Sequence, residues 1–105
     1  MQLRVISNYG AYEMLVSDSV SLEQVRSKMV DLDWNSFHQV VLEQENGDWI
    51  EVGGNLLDDG LSAMYQEAGR QYEIRQTPKS VDQLTEILLS YLRGDNKFRE
   101  DHKFH

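Results

Sequence analysis

The chain lacks cysteine, contains one proline and has no apolar run long enough to cross a bilayer. Without cysteine, disulfide bonds, thiolate nucleophiles and zinc sites built on sulfur are excluded. A membrane-spanning helix needs about 20 apolar residues in a row, and the N-terminal segment has no apolar core of the kind found in a signal peptide. We therefore expect a cytoplasmic protein with no membrane partner.

Basic residues are scarce: 10 lysines and arginines stand against 18 aspartates and glutamates, which leaves a net charge of -8. This charge repels nucleic acid and attracts basic proteins. The sequence has no basic stretch interleaved with aromatic residues, so we expect no nucleic-acid partner. A net charge of this size also favours solubility. A basic protein partner and simple solubility both remain open as its explanation.

Two helices are predicted from capping signals. Ser21 with Gln24, and Ser80 with Gln83, have the spacing of a capping box, in which two side chains satisfy the free amides at a helix start. Apolar residues at helical spacing follow each pair. Gly94 marks the end of the second helix, because glycine tolerates the left-handed backbone found there.

The chain length of 105 residues fits one domain. We assign this domain to residues 1–94 and describe residues 95–105 as a charged C-terminal tail. The tail is weakly patterned, and two interpretations remain open. It is either frayed, or docked on the domain through Phe98 and Phe104.

Strand signals fill the rest of the chain. Apolar and polar residues alternate on both sides of "SNYG", and Asn46-Gly47 separates two runs rich in valine, isoleucine and tryptophan. Asn-Gly is typical of a type I′ hairpin turn. With "GLSAMYQE" and "QYEIRQ" the predicted order becomes ββαββββα. This order predicts an α+β fold, with an antiparallel sheet of about six strands and two helices packed on one face.

The sequence contains few residues that could form a catalytic or metal site. His38 is the one histidine outside the tail, and a surface or hydrogen-bonded structural role is the simpler interpretation. The acidic stretch "NLLDDG" lacks the ligand spacing of a calcium loop, and "VGGN" lacks the companions of a phosphate-binding loop. We expect no enzyme activity, no metal and no cofactor.

A binding surface remains as the candidate site. The residues we assign to it lie on or beside the central strands: Asp48, Trp49, Glu51, Asn55, Asp58 and Asp59. If Ile50 and Val52 face the helices, alternation turns Trp49 and Glu51 outward; the opposite arrangement stays open. We expect Asn55, Asp58 and Asp59 to be displayed at the tip of a connection that Gly53, Gly54 and Gly60 allow to turn.

The segments "WIEVGGN", "DDGLSAMYQE" and "YEIRQTPKSVDQLTEILLSYLRGD" resemble immunity proteins of bacterial polymorphic toxins, of the Imm1 type. The resemblance covers residues 49–94 and rests on short motifs. It implies a small cytosolic α+β protein that binds and blocks a toxin domain, often one that acts on nucleic acid. Carboxylates that take the place of phosphates would suit a basic active-site surface.

Two alternatives differ in kind from an inhibitor. The first is a structural or assembly module that forms a homodimer through a sheet edge or through the face of Trp49. The second is a small-molecule-binding domain, which predicts a deep apolar pocket between the sheet and the helices.

Overall fold

The computed structural model describes residues 1–105 and contains one six-stranded antiparallel sheet and three helices. The elements are β1 Gln2–Ser7, β2 Tyr12–Ser17, α1 Leu22–Asp31, β3 His38–Glu43, β4 Trp49–Asn55, β5 Gly60–Glu67, β6 Arg70–Glu73, α2 Val81–Arg93 and α3 Lys97–Asp101. The strand order in the sheet is β2-β1-β3-β4-β5-β6. The predicted α+β fold is confirmed, with α3 as an additional helix.

The alternation of the strands sends one set of side chains toward the helices. The buried members of this inner face are Leu3, Val5, Val40, Leu42, Ile50, Val52, Leu61, Ala63 and Tyr65. They form one core with the apolar residues of α1 and α2, among them Met29, Leu84 and Leu88. Burying a side chain of this size stabilises the fold by roughly 1.5–3 kcal/mol, so the inner face accounts for the position of the helices.

The helix starts follow the predicted capping pattern, with one difference. In α1, the Gln24 amide donates to Ser21 Oγ at 3.1 Å and the Ser21 amide donates to Gln24 Oε1 at 2.9 Å. In α2, the Gln83 amide donates to Ser80 Oγ, but Gln83 Oε1 accepts from the Lys79 amide at 2.8 Å. The second box is therefore half formed, because its glutamine side chain satisfies the amide one residue further back.

The predicted type I′ turn at Asn46-Gly47 is wrong. Gly47 has a φ of +93°, but Asn46 is absent from the residues with positive φ. The Asn46 side chain accepts the Asp48 amide at 2.9 Å, and the Gly47 amide donates to the Gln44 carbonyl at 3.0 Å. This is the longer hairpin loop in which glycine alone occupies the left-handed region.

The C-terminal segment packs on the rest of the chain. Phe98 of α3 is 2% exposed, and Phe104 packs against the same core. The backbones of Glu73 and His105 exchange two hydrogen bonds of 2.8 Å. Residues 103–105 thus lie along the free side of β6. The other edge strand, β2, has no neighbour on its outer side.

Candidate functional site

The six predicted site residues do not form one cluster. Trp49 begins β4 and Asn55 ends it, and a strand of this length spans about 20 Å. Asp58 and Asp59 follow Asn55, so they lie at the opposite end of the sheet from Asp48 and Trp49. These residues therefore belong to two separate surfaces.

The first surface is the sheet face that points away from the helices. Ile50 and Val52 are 0% exposed within the core, and Trp49 and Glu51 are partly exposed on the opposite face. The outward orientation of Trp49 and Glu51 is therefore the correct alternative. We name this side the outer face; its residues are Gln2, Arg4, Ile6, Glu13, Leu15, Gln39, Val41, Glu43, Trp49, Glu51, Ser62, Met64, Gln66, Gln71 and Glu73.

The outer face carries four carboxylates and one guanidinium. Arg4 Nη2 contacts Glu43 Oε1 at 2.6 Å, and Arg4 Nη1 lies 3.5 Å from Glu13 Oε1. Glu51 takes part in no salt bridge and accepts one hydrogen bond, from Gln39 Nε2 at 3.1 Å. Burial raises the pKa of Glu51, and the hydrogen bond from Gln39 opposes this shift only in part.

Asp48 has a structural role in the turns. Its Oδ1 accepts the Ala68 amide at 3.1 Å, and its Oδ2 lies 3.4 Å from Asn46 Nδ2. This carboxylate therefore ties the β3–β4 turn to the β5–β6 turn. Each oxygen has one partner within the chain, so a change of Asp48 would disturb these turns as well as any contact with another molecule.

Asn55 is not displayed at a tip, and this expectation was wrong. The residue is 3% exposed. Its Oδ1 accepts the amides of Asp58 at 2.7 Å and Asp59 at 2.9 Å, and its Nδ2 donates to Asp59 Oδ2 at 2.9 Å. Asn55 closes the β4–β5 turn from inside, because a buried amide is stable only when its polar atoms are paired.

Gly54 is required by the same turn. It has a φ of +119°, and a Cβ atom at this position would lie 1.9 Å from the Gly60 carbonyl oxygen. Any side chain would overlap backbone atoms of Gly60 at the start of β5. The Leu56 amide also donates to the Trp34 carbonyl at 2.8 Å, which fixes the turn to the segment before β3.

The second surface is what this fixed turn presents to solvent. Leu56 is 53% exposed and Leu57 is 70% exposed. Tyr9, from the β1–β2 turn, is 67% exposed and donates to Asp59 Oδ2 at 2.8 Å. This hydrogen bond and the nearby carboxylates raise the pKa of Tyr9. We name Tyr9, Leu56, Leu57, Asp58 and Asp59 the tip surface.

Three residues of the tip surface were missed by the sequence reasoning. Leu56 and Leu57 stand between residues that favour turns, in "NLLDDG". Two adjacent leucines in a turn are a usable signal, because a short surface connection cannot bury both. Tyr9 gave no such signal: its ring stacks on Phe37 with centroids 4.4 Å apart, a contact between distant parts of the chain.

His38 has the hydrogen-bonded structural role that we expected. Its Nδ1 lies 2.7 Å from Ser7 Oγ, and its Nε2 lies 3.0 Å from the Asp33 carbonyl oxygen. Its ring also meets the ring of Trp34 edge to face. These contacts join β1, β3 and the segment that follows α1.

Comparisons with protein-family models, with curated proteins and with solved structures gave no match to this chain. The helices are also too short and too polar for any of them to cross a membrane.

Proposed function

We propose that this chain is a small cytoplasmic inhibitor that binds a basic protein partner, in the way that its resemblance to toxin immunity proteins implies. The tip surface makes the main contact. The observation that carries the proposal is a turn fixed from inside by the buried Asn55 that nevertheless holds Leu56 and Leu57 in solvent.

The cost of the exposed leucines supports a binding role. Exposed apolar groups that lie together, rimmed by polar ones, are typical of interaction sites, whereas single exposed apolar residues are common everywhere. Here two leucines and the ring of Tyr9 share one end of the sheet. Because the turn is already ordered, binding would cost little additional conformational entropy.

Charge supports a basic partner. Asp58 and Asp59 lie directly beside the leucines in a chain whose net charge is -8. Complementary charge speeds association and excludes acidic competitors, and the apolar contact then supplies most of the affinity. Asp59 is already bonded to Tyr9 and Asn55, which leaves Asp58 as the freer of the two carboxylates.

The test is neutralisation of a toxic partner. The product of the gene adjacent to the one for this chain should arrest growth of a bacterial host when expressed alone, and co-expression of this chain should restore growth. Leu56→Ala with Leu57→Ala should weaken binding of that product by more than about 100-fold, a loss of the size found for residues at the centre of an interface.

Val30→Ala serves as the matched control, since Val30 is 83% exposed on α1, outside both surfaces. It should leave binding and rescue unchanged. A neighbouring product that is harmless, or one that this chain does not bind, would rule out the proposal.

The homodimer alternative is supported by a different observation. The free edge strand β2 exposes Tyr12 to 69%, Met14 to 51% and Leu15 to 53%. An apolar edge strand without lysine or proline is a template for pairing with another strand. Sedimentation of the chain alone tests this: a stable dimer that Met14→Lys dissociates would favour the assembly module.

The small-molecule alternative has less support. The largest surface depression has a volume of about 450 Å³ and is lined by Met1 and six polar residues. It lies beside the start of β1 and the end of β3, away from the core between sheet and helices.

A further inference from the structure

Trp49 and Glu51 form a pair on the outer face, and Glu51 takes part in no salt bridge. They are two residues apart on β4, so their side chains project from the same side of the sheet with Cα atoms about 7 Å apart. Trp34, in contrast, is 5% exposed and donates its indole N–H to the Met29 carbonyl at 3.0 Å. No hydrogen bond holds the Trp49 indole.

The surroundings of Glu51 are apolar on two sides. Val41 on β3 and Met64 on β5 are its direct cross-strand neighbours. Val41 is only 5% exposed although it belongs to the outer face. A carboxylate between such neighbours is partly removed from water. A charge that is removed from water is stabilised by an opposite charge nearby.

The chain does not supply that opposite charge. Arg4 is the one cation of the outer face, and it is bound to Glu43 and Glu13. Arg4 is paired across the sheet with Val41, so Val41 lies between Arg4 and Glu51. Glu51 keeps only the neutral amide of Gln39.

We infer that the Trp49 indole and the Glu51 carboxylate together bind an arginine side chain of a partner protein. A guanidinium group can stack flat on an aromatic ring while its N–H groups, which lie in the guanidinium plane, donate to a carboxylate. A compact ammonium group does not combine these two contacts. This inference rests on the proposed function only in taking the arginine to come from a protein partner. It adds a second contact, on the outer face, to the one at the tip surface.

The two tryptophans provide the readout. The indole N–H signals of Trp49 and Trp34 should be followed by NMR while the intact chain is titrated with N-acetyl-arginine amide at constant ionic strength. The Trp49 signal should shift and saturate, and the buried Trp34 signal should stay in place. The neutral citrulline analogue should give no shift, and N-acetyl-lysine amide should give a clearly smaller one.

Glu51→Gln should weaken the binding of N-acetyl-arginine amide by about fivefold, as expected for the loss of one partly exposed ion pair. Glu73→Gln is the matched control, because Glu73 is an exposed carboxylate on the same face and forms no salt bridge. Its titration curve should equal that of the unmodified chain. Absence of a saturable Trp49 shift, equal shifts with lysine, or no effect of Glu51→Gln would overturn the inference.

The outcome is separable from that of the proposed function. If the chain neutralises no partner but arginine still binds at Trp49, the proposed function fails and the arginine site stands. If a partner is neutralised and arginine gives no shift at Trp49, only the arginine site fails.

Discussion

The side-chain amide of Asn55 donates to Asp59 at 2.9 Å while its oxygen accepts the Asp59 amide at the same distance. The buried Asn55 thus binds both the backbone amide and the carboxylate of the exposed Asp59. The Asp59 carboxylate in turn accepts from Tyr9, so Asn55 also fixes the carboxylate to which Tyr9 is bound.

Asn55→Ala should therefore destabilise the fold, since it leaves the amides of Asp58 and Asp59 without their acceptor. The expected loss is about 1–3 kcal/mol of unfolding free energy, measured by urea denaturation. Leu57→Ala is the control: it should change stability by less than about 0.5 kcal/mol, because its side chain lies in solvent. Equal effects of the two substitutions would contradict the role of Asn55.

Gly54→Ala should destabilise the fold far more than Gly10→Ala. Both glycines have positive φ, at +119° and +92°. A Cβ atom on Gly10 meets nothing within 4 Å, whereas one on Gly54 overlaps the Gly60 carbonyl oxygen. Gly10→Ala should cost about 1 kcal/mol for the backbone conformation alone. Thermal unfolding of the two variants makes the comparison, and similar melting temperatures would contradict it.

The alternation of side chains along β4 was predictable from sequence as far as its backbone stays extended. Alternation placed Ile50 and Trp49 on opposite faces, but it left open which of the two faces the helices; the burial of Ile50 decides this. It could not predict the burial of Asn55, because the positive φ of Gly54 interrupts the extended backbone one residue earlier. For the tail, the sequence left fraying and docking through Phe98 and Phe104 both open, because docking depends on distant contacts such as the one between Ile74 and Phe104.

Glu51→Gln should raise the melting temperature at neutral pH. Burial raises the pKa of Glu51 above its ordinary value of 4.5. Its contribution to stability is therefore complete below that value and is lost as the pH rises through the folded pKa. The melting temperature of the variant should be higher than that of the unmodified chain at pH 7, and this difference should shrink toward pH 4.

Glu73→Gln again provides the control, because Glu73 is exposed. Its melting temperature should follow that of the unmodified chain across the same pH range. A Glu51→Gln variant that melts lower at pH 7 would show that the carboxylate has a favourable partner within the chain.

Asp95 should make the junction of α2 and α3 sensitive to acid. Hydrogen bonds from the Ser90 hydroxyl, the Lys97 amide and Arg93 lower the pKa of Asp95 from 3.8 to about 2. The contribution of a group with a lowered pKa is present above its unfolded value and is lost as the pH falls through the folded one. Asp95→Asn should thus lower the melting temperature at pH 6, and this deficit should fade between pH 4 and about pH 2.

A carboxyl titration of Asp95 by NMR measures the same effect directly, with an expected midpoint of about 2. Asp101→Asn is the control for the loss of one charge, since Asp101 is exposed at the end of α3 and accepts no side-chain hydrogen bond of this kind. A midpoint near 3.8 would mean that the hydrogen bonds from Ser90, Lys97 and Arg93 do not stabilise the charged form of Asp95. Ser90 on α2 would then be connected to α3 only by its direct hydrogen bond, in which Ser90 Oγ accepts the Phe98 amide at 2.9 Å.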